Sequence, residues 1–281
     1  MQLTRYHPAP PLDRYIECFW WSQRNEAQDH SEHMLPSGGG QLLFALHETP
    51  ILCRPADCAD SFTWSGSIVH GPQSQYYVAG PKPKGAVVGV SFRPGAAGAL
   101  LGASMQELAD RHVPLDAIWG ARGVHLHHRL MSAAEPREVF RILEQSLSAR
   151  IHRPLLIHPA VARALLPRPA EVSSPRRVAD VQRASGYSPR HFIALFRSAV
   201  GLNPKQYYRI RRFNCAVRLM AAGGGRGLSD IAAAAGYSDQ AHLTREFREF
   251  AGIAPTQYRA AGTDRPLHHR AAADPVRPPS R

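Results

Sequence analysis

Residues 186–207 read GYSPRHFIALFRSAVGLNPKQY, and residues 236–258 read GYSDQAHLTREFREFAGIAPTQY. One pattern is written twice: Gly186-Tyr187-Ser188 returns as Gly236-Tyr237-Ser238, and Pro204, Gln206 and Tyr207 return as Pro255, Gln257 and Tyr258. A repeat at this period marks one supersecondary unit per copy. In the first copy Val178, Val181 and Ala184 share one side of a helix expected from about Arg176 to Ser185, and Gly186 supplies the positive φ that a helix end favours. Ser188 is placed to cap a second helix, with Pro189 at the first position, where its missing N–H costs nothing. Phe192, Leu195, Phe196 and Ala199 then fall at i, i+3, i+4 and i+7, one helical face. Two helices across a short glycine-containing turn make a helix-turn-helix.

In the second copy Leu228, Ile231, Ala232 and Ala235 form the inner side of the first helix, which Gly236 ends. Ser238 is expected to cap the next, with Asp239 in its first turn and Leu243, Phe247 and Phe250 inward. One extra residue separates serine from phenylalanine here. Between the copies, Asn203 and Pro204 open a helix whose buried stripe is Phe213, Ala216, Val217 and Met220, and Gly223-Gly224-Gly225 stops it. Twenty residues of helix span about 30 Å. A turn of DNA is roughly 34 Å, so this helix is long enough to hold two reading helices in successive major grooves.

These residues carry a resemblance. The segment from about 155 to 260 resembles the DNA-binding domain of AraC-type transcription regulators through Gly186-Tyr187-Ser188, Phe196, Gly201, Pro204, Arg212, Ala216, Ile231-Ala232, Gly236-Tyr237-Ser238, His242, Arg245, Phe247, Gly252, Pro255 and Tyr258-Arg259. The resemblance implies double-stranded DNA and RNA polymerase as partners, and activation of transcription more often than repression.

The charge agrees. Residues 151–281 hold 21 Lys+Arg and 8 Asp+Glu, a net of +13; residues 1–150 hold 13 and 14, a net of −1. The basic half is the repeat-bearing half, which favours a polyanionic partner. No apolar run approaches the roughly 18 residues a membrane helix needs, and the start of the chain has no basic-then-apolar leader. The four cysteines, Cys18, Cys53, Cys58 and Cys215, lack a disulfide or zinc spacing. A reduced, cytoplasmic protein without membrane contact is expected.

The first half alternates with period two in Leu42, Phe44 and Leu46, in Phe62, Trp64, Gly66 and Ile68, and in Val88, Val90 and Phe92. Such runs are half-buried strands, here of a sandwich or small barrel over residues 3–92. From Pro94 the period becomes helical: Ala97, Leu100 and Leu101; then Ser104 with Glu107 as a capping box; then Pro136 opening a helix with Phe140, Leu143 and Leu147 inward. The expected class is therefore two-domain α+β. Residues 1–150 form a β domain with a helical appendage, 151–261 an all-α domain of two helix-turn-helix units joined by a linker helix, and 262–281 a disordered basic tail.

The first half is similar to the cupin-like sensor half of AraC-type regulators, in a variant marked by Phe19-Trp20-Trp21, Leu35-Pro36 before a glycine-rich turn, and Phe92-Arg93-Pro94-Gly95-Ala96-Ala97. Ser37 stands where that variant often has Asp. No His-x-His pair lies on a strand, and His125, His127 and His128 read as a solvated loop beside Gly120 and Gly123. No catalytic residue, metal site or cofactor is therefore expected.

The candidate base-reading positions in copy one are Arg190, Ile193 and Ala194, and in copy two Gln240, Ala241, Thr244 and Arg245. Arg can pair with guanine and Gln with adenine, while Ile and Ala offer apolar contact alone. Ser188, His191, Arg197, Lys205, Arg209 and Arg211 are candidates around them for backbone contact, and Arg212 is expected to pack within the domain. His242 borders the interior, so burial and phosphate contact both stand open. Trp20, Trp21 and Trp64 are candidates for an effector site, with core packing as the other reading. Two further readings of the first domain remain: a protein-interaction or homodimer module without an effector, or a cupin-like enzyme fused to a DNA-binding domain.

Overall fold

The computed structural model describes residues 2–56, 60–133, 135–151, 156–166, 178–262 and 265–271. Cys58, the expected helix start at Arg176 and the tail beyond residue 271 lie outside them. In chain order the elements are β1 (Gln2–Tyr6), β2 (Ile16–Arg24), β3 (Glu32–Met34), β4 (Gln41–Leu46), β5 (Ile51–Pro55), β6 (Phe62–Trp64), β7 (Ser67–His70), β8 (Tyr77–Ala79) and β9 (Gly85–Phe92). There follow α1 (Ala97–Leu101), α2 (Met105–Leu108), β10 (His112–Pro114), α3 (Leu115–Trp119), α4 (Ala121–Met131), α5 (Pro136–Ser148) and α6 (Pro159–Leu165). The remainder is α7 (Val178–Ser185), α8 (Pro189–Val200), α9 (Pro204–Ala221), α10 (Leu228–Ala235), α11 (Gln240–Ala251) and β11 (His268–Arg270).

Two sheets are built on the first half, a six-stranded one in the order β1-β2-β9-β4-β7-β10 and a five-stranded one in the order β11-β3-β8-β5-β6, whose β11 comes from the far end of the chain. Successive side chains on a strand face opposite ways, and β2 and β4 use both faces. Phe19, Trp21, Leu42 and Phe44 pack outward against α1 to α5, where Leu100, Trp119, Phe140 and Leu143 complete one core. Trp20, Leu43 and Ala45 turn to the other side and meet Cys53, Trp64, Ile68 and Tyr77 of the core between the sheets. Burial raises the Cys53 thiol to about 12.

Several elements depart from the sequence expectation. The run Phe62, Trp64, Gly66, Ile68 is two strands, because Gly66 turns the chain at φ +71 and sends β6 and β7 to different sheets. The expected histidine loop is helix α4, whose Gly123 is buried and lets the helix approach Leu115 closely. Ser104 takes an extended N-cap backbone, but its side chain makes no capping bond. The helix α7 lies exposed along Ala184 and holds no buried residue, its inner side being the half-buried Val178 and Val181.

The tail is corrected too: His268–Arg270 is a strand, paired antiparallel with Glu32–Met34. What anchors it is a buried carboxylate. Glu32 Oε2 accepts from Lys82 Nζ and pairs with His268 Nδ1 at 3.0 Å, and Arg265 Nη1 lies 3.5 Å from Oε1. Burial alone would raise the Glu32 pKa, but the bond from His268 and the Lys82 charge outweigh it and hold the carboxyl well below its usual range. Lys82, itself desolvated, falls to about 8.

The second half buries Phe192, Phe196, Phe213, Phe247 and Phe250 around α9, and α6 joins this core through Val161 and Ala164. Leu35 of the first half sits in the same core. Among the described residues no helix is long and apolar enough to cross a membrane, and Cys18, Cys53 and Cys215 are free thiols.

Candidate nucleic-acid interface

The first reading helix, α8, begins as its sequence dictates. Ser188 accepts from the His191 N–H, Pro189 follows, and Gly201 ends the helix at φ +89. Phe192, Phe196 and Val200 are buried, so the opposite face must be outward. Arg190, Ile193, Ala194 and Arg197 all lie there, exposed, at helical spacing i, i+3, i+4 and i+7. His191 is exposed beside Tyr187, with ring centroids 4.9 Å apart.

The second reading helix, α11, is capped one residue later than expected. Asp239, not Ser238, is the N-cap: its Oδ1 accepts from the His242 N–H at 2.7 Å, and Ser238 Oγ donates to Oδ2 at 2.9 Å. The carboxylate is the stronger acceptor, and the extra residue of copy two places it at the helix start. Those bonds, the His242 N–H first, hold its pKa below the usual carboxylate value. Leu243, Phe247, Phe250 and Ala251 are buried. Gln240, Ala241 and Arg245 are exposed and Thr244 is half-buried. The Gln240 Oε1 accepts from Ser229 of α10 at 3.0 Å, tying the two helices of the motif together. Thr244 Oγ1 donates back to the Gln240 carbonyl at 2.9 Å.

Phe196 and Phe247 are fifty-one residues apart, and at that offset Arg190, Ile193, Ala194 and Arg197 correspond to Ala241, Thr244, Arg245 and Arg248. Arg248 is exposed on the same side of α11. Sequence reading passed over it, although the repeat offset from Arg197 points to it.

Between the reading helices, α9 runs eighteen residues, about 27 Å. Its Asn203 side chain accepts from the Gln206 N–H at 2.8 Å. Gly223, Gly224 and Gly225 follow it with φ of 69°, 89° and 70°. Lys205 stands exposed at its start, and Arg211 is exposed further along. Arg209 is removed from the phosphate-contact set: its Nε donates to Glu246 at 2.7 Å and its Nη2 to Glu249. Arg212 packs inside the domain as expected, 4.7 Å above the Tyr237 ring and hydrogen-bonded to Glu246 at 2.7 Å. His242 resolves toward the interior. Its Nδ1 meets Ser238 Oγ at 3.1 Å, its ring packs edge-on to Tyr237 at 5.2 Å, and Nε2 lies 3.7 Å from Glu246.

The three tryptophans do not converge. Trp20 and Trp64 belong to the core between the sheets, whereas Trp21 faces the helical layer. Adjacent residues on one strand cannot share a face. Gly89 makes room for Trp20, since a Cβ there would lie 2.0 Å from its ring.

A second coupling element was not foreseen. Residues 35–38 of the first half dock on α9: Leu35 enters its core, Asn214 Nδ2 donates to the Ser37 carbonyl at 3.1 Å, and Gly38 (φ +77) leaves Ile210 just enough space. Ser37 itself closes the local turn, bonded to Gly39. Among the described residues no group of three or more His, Cys, Asp or Glu is placed to hold a metal ion.

Comparison with known proteins agrees with this geometry. A helix-turn-helix domain family matches residues 181–261, and a domain of unknown function (DUF6597) matches residues 4–114. The chain is 33% identical over 81 residues to the probable transcriptional regulator LumQ of Photobacterium leiognathi, covering 29% of this chain and 32% of that one. It is 31% identical over 85 residues to the putative HTH-type transcriptional regulator YkgA of Escherichia coli (strain K12), covering 30% and 35%. The match thus spans about a third of the length of these relatives. Among solved structures, ToxT of Vibrio cholerae O395 has a TM-score of 0.43 at 11% identity, covering 82% of this chain and 95% of that one. Unsaturated-fatty-acid-bound ToxT of strain SCE256 has 0.44 at 12%, covering 84% and 93%. Residues 181–261 are therefore a helix-turn-helix domain of the AraC type.

Proposed function

We propose that this chain is a sequence-specific DNA-binding regulator of transcription that sets α8 and α11 into successive major grooves. One observation carries the reading: exposed residues at matching register on both helices, Arg190 to Arg197 and Ala241 to Arg248, stand opposite cores that share α9. Arg190 and Arg245 are the guanine-pairing donors, and Arg197, Lys205 and Arg248 face phosphate. Copy two carries more of the discrimination, since Ile193 and Ala194 offer copy one little beyond apolar contact. Activation through RNA polymerase is the outcome that the family favours.

The first domain acts as the sensor, and the docking of Leu35 and Ser37 on α9 supports a route from its state to the spacing of the reading helices. The test is a footprint of the full-length chain on sites selected from random DNA. Two protected segments one helical turn apart, about 10–10.5 base pairs centre to centre, are expected. Protection of a single groove segment would overturn the proposal.

A second reading of the first domain, as a homodimer module, draws on the exposed Val124 and Met131 of α4, seven residues apart on one helical side. Light scattering of Val124→Asp against the parent chain tests it: a dimer mass lost in the variant is the expected result.

A further inference from the structure

The repeat that pairs Phe196 with Phe247 also pairs Gly201 with Gly252, again fifty-one residues apart. These glycines end the two reading helices, with φ of +89° and +71°. Each lies against the first domain. A Cβ at Gly201 would stand 2.6 Å from the Met105 carbonyl oxygen and 3.0 Å from Pro72, and one at Gly252 would stand 2.7 Å from Tyr76 Cε1. Pro72 and Tyr76 belong to one short stretch, residues 71–76, which crosses from β7 of the six-stranded sheet to β8 of the five-stranded sheet. One segment therefore touches the C-terminal ends of both reading helices, at equivalent places in the repeat.

The stretch is pinned along its length. At its start Gly71 has no room for a Cβ, because the Leu108 carbonyl carbon would lie 2.5 Å from it. The Gly71 N–H donates to the Arg111 carbonyl at 3.0 Å, and the Asp110 N–H donates to the Pro72 carbonyl at 3.1 Å. The Asp110 carboxylate accepts from the Ser74 N–H and, at 2.8 Å, from the Ser74 hydroxyl. Asp110 holds φ of +56°, the one positive φ at a non-glycine among the described residues. Such a conformation persists only where its surroundings over-determine it. At the far end Tyr76 stacks on His33 with ring centroids 4.7 Å apart, and the Ala251 carbonyl at the end of α11 accepts from His33 Nδ1 at 2.9 Å.

The geometry points to residues 71–76 as a brace that fixes the separation of α8 and α11, with Pro72, Tyr76 and Asp110 as positioning residues for DNA recognition. A single spacer helix sets a distance but leaves each reading helix a tilt, and a second tie at the helix ends removes it. A reading helix of twelve residues is about 18 Å long. A tilt of about 10° about its C-terminal end moves the base-reading end by about 3 Å. That is close to the rise of one base pair, about 3.4 Å, so the brace governs whether both helices meet their grooves in register. Because it runs between the two sheets, a shift of one sheet against the other moves the helix ends as well. The inference rests on the two-groove reading for its effect on DNA, not for the tie itself.

The experiment compares the full chain with Asp110→Ala and Tyr76→Ala in two ways. One is amide hydrogen exchange without DNA. The other is binding to selected sites whose two protected segments keep their spacing, move one base pair closer or further, or are reduced to one segment. Exchange at residues 199–202 and 250–253 should quicken together in both variants, by about tenfold. Affinity for the intact site should fall about tenfold, while a one-base-pair shift costs the variants less than the parent and the single-segment site is bound as before. Asp110 is exposed, so its variant keeps the test open should Tyr76→Ala fail to fold. Exchange that quickens at one helix end alone, or at neither, overturns the brace. So does a variant that keeps the parent's spacing preference, or one that loses the intact and single-segment sites equally, which is the mark of general destabilisation. A parent chain with no preferred spacing, beside coupled exchange, sinks the two-groove reading and leaves the tie between the helices standing.

Discussion

Arg212 Nη2 lies 2.7 Å from Glu246 Oε1, and Arg209 Nε lies 2.7 Å from the same oxygen. One buried carboxylate on α11 thus receives two guanidinium groups from α9 and fixes the second reading helix to the spacer. Burial would raise its pKa, but the bonds from Arg209 and Arg212 prevail and hold it below the usual carboxylate value. Removing one partner of a buried pair leaves uncompensated charge, at a cost of about 3–5 kcal/mol. Glu246→Gln should therefore lower the denaturant midpoint and weaken DNA binding together. A variant with an unchanged midpoint would show that the ion pairs are not what holds α11.

Arg245 is exposed on α11, and the proposed pairing with guanine predicts that Arg245→Ala costs about 1–3 kcal/mol at a selected site and leaves random DNA nearly unaffected. Competition binding against both DNAs measures this. Equal loss on both would assign Arg245 to the backbone instead.

Arg197, Lys205 and Arg248 are exposed around the reading helices. Each neutralised phosphate contributes about −0.9 to the slope of log K against log salt. Alanine at each position should flatten that slope by about one and weaken all sequences alike. A salt titration in which the slopes of all three variants match the parent would remove them from the interface.

Gly186 and Gly201 both hold positive φ, at +75° and +89°, but only Gly201 is crowded: a Cβ there would lie 2.6 Å from the Met105 carbonyl oxygen and 3.0 Å from Pro72. Gly186→Ala should cost about 1–2 kcal/mol of backbone strain. Gly201→Ala should cost more, because it also forces α8 away from α2. Equal melting temperatures for the two variants would deny that the first domain seats against the end of α8.

His70 and His112 face each other inside the first domain with ring centroids 4.3 Å apart. Burial lowers the His112 pKa to about 4 and holds His70 well below its usual value. Their unfolded pKa is about 6.5. Between those limits the unfolded chain binds protons that the folded chain refuses, so stability is full above about pH 6.5 and drains as pH falls toward 4. His112→Phe should reduce the stability lost between pH 7 and pH 5 by roughly 2 kcal/mol. Urea midpoints at the two pH values check it, and an unaltered difference would refute it.

The helices α8, α9 and α11 were legible because their signals are local: a capping residue, a proline or acid in the first turn, an apolar stripe, and glycine at the end. The cap of α11 slipped by one residue because serine and aspartate stand side by side and only geometry chooses between them. Helix α4 was hidden, since Gly123 and the cluster His125, His127 and His128 read as a loop until the close approach to Leu115 is known. The effector set failed on alternation, which already places Trp20 and Trp21 on opposite faces. Arg209 could not be assigned from sequence, because its partners Glu246 and Glu249 arrive from another helix. The pairing of His268–Arg270 with Glu32–Met34 is likewise nonlocal, across more than two hundred residues.

That last pairing has a consequence for biogenesis. An edge of the five-stranded sheet is supplied from beyond α11, so the nascent polypeptide must finish the helix-turn-helix domain before the sheet can close. Until then β3 presents an open rim, and Glu32 waits for two of its three ion-pair partners, His268 and Arg265. Ribosome-stalled chains ending before residue 265 would be caught in that unfinished condition.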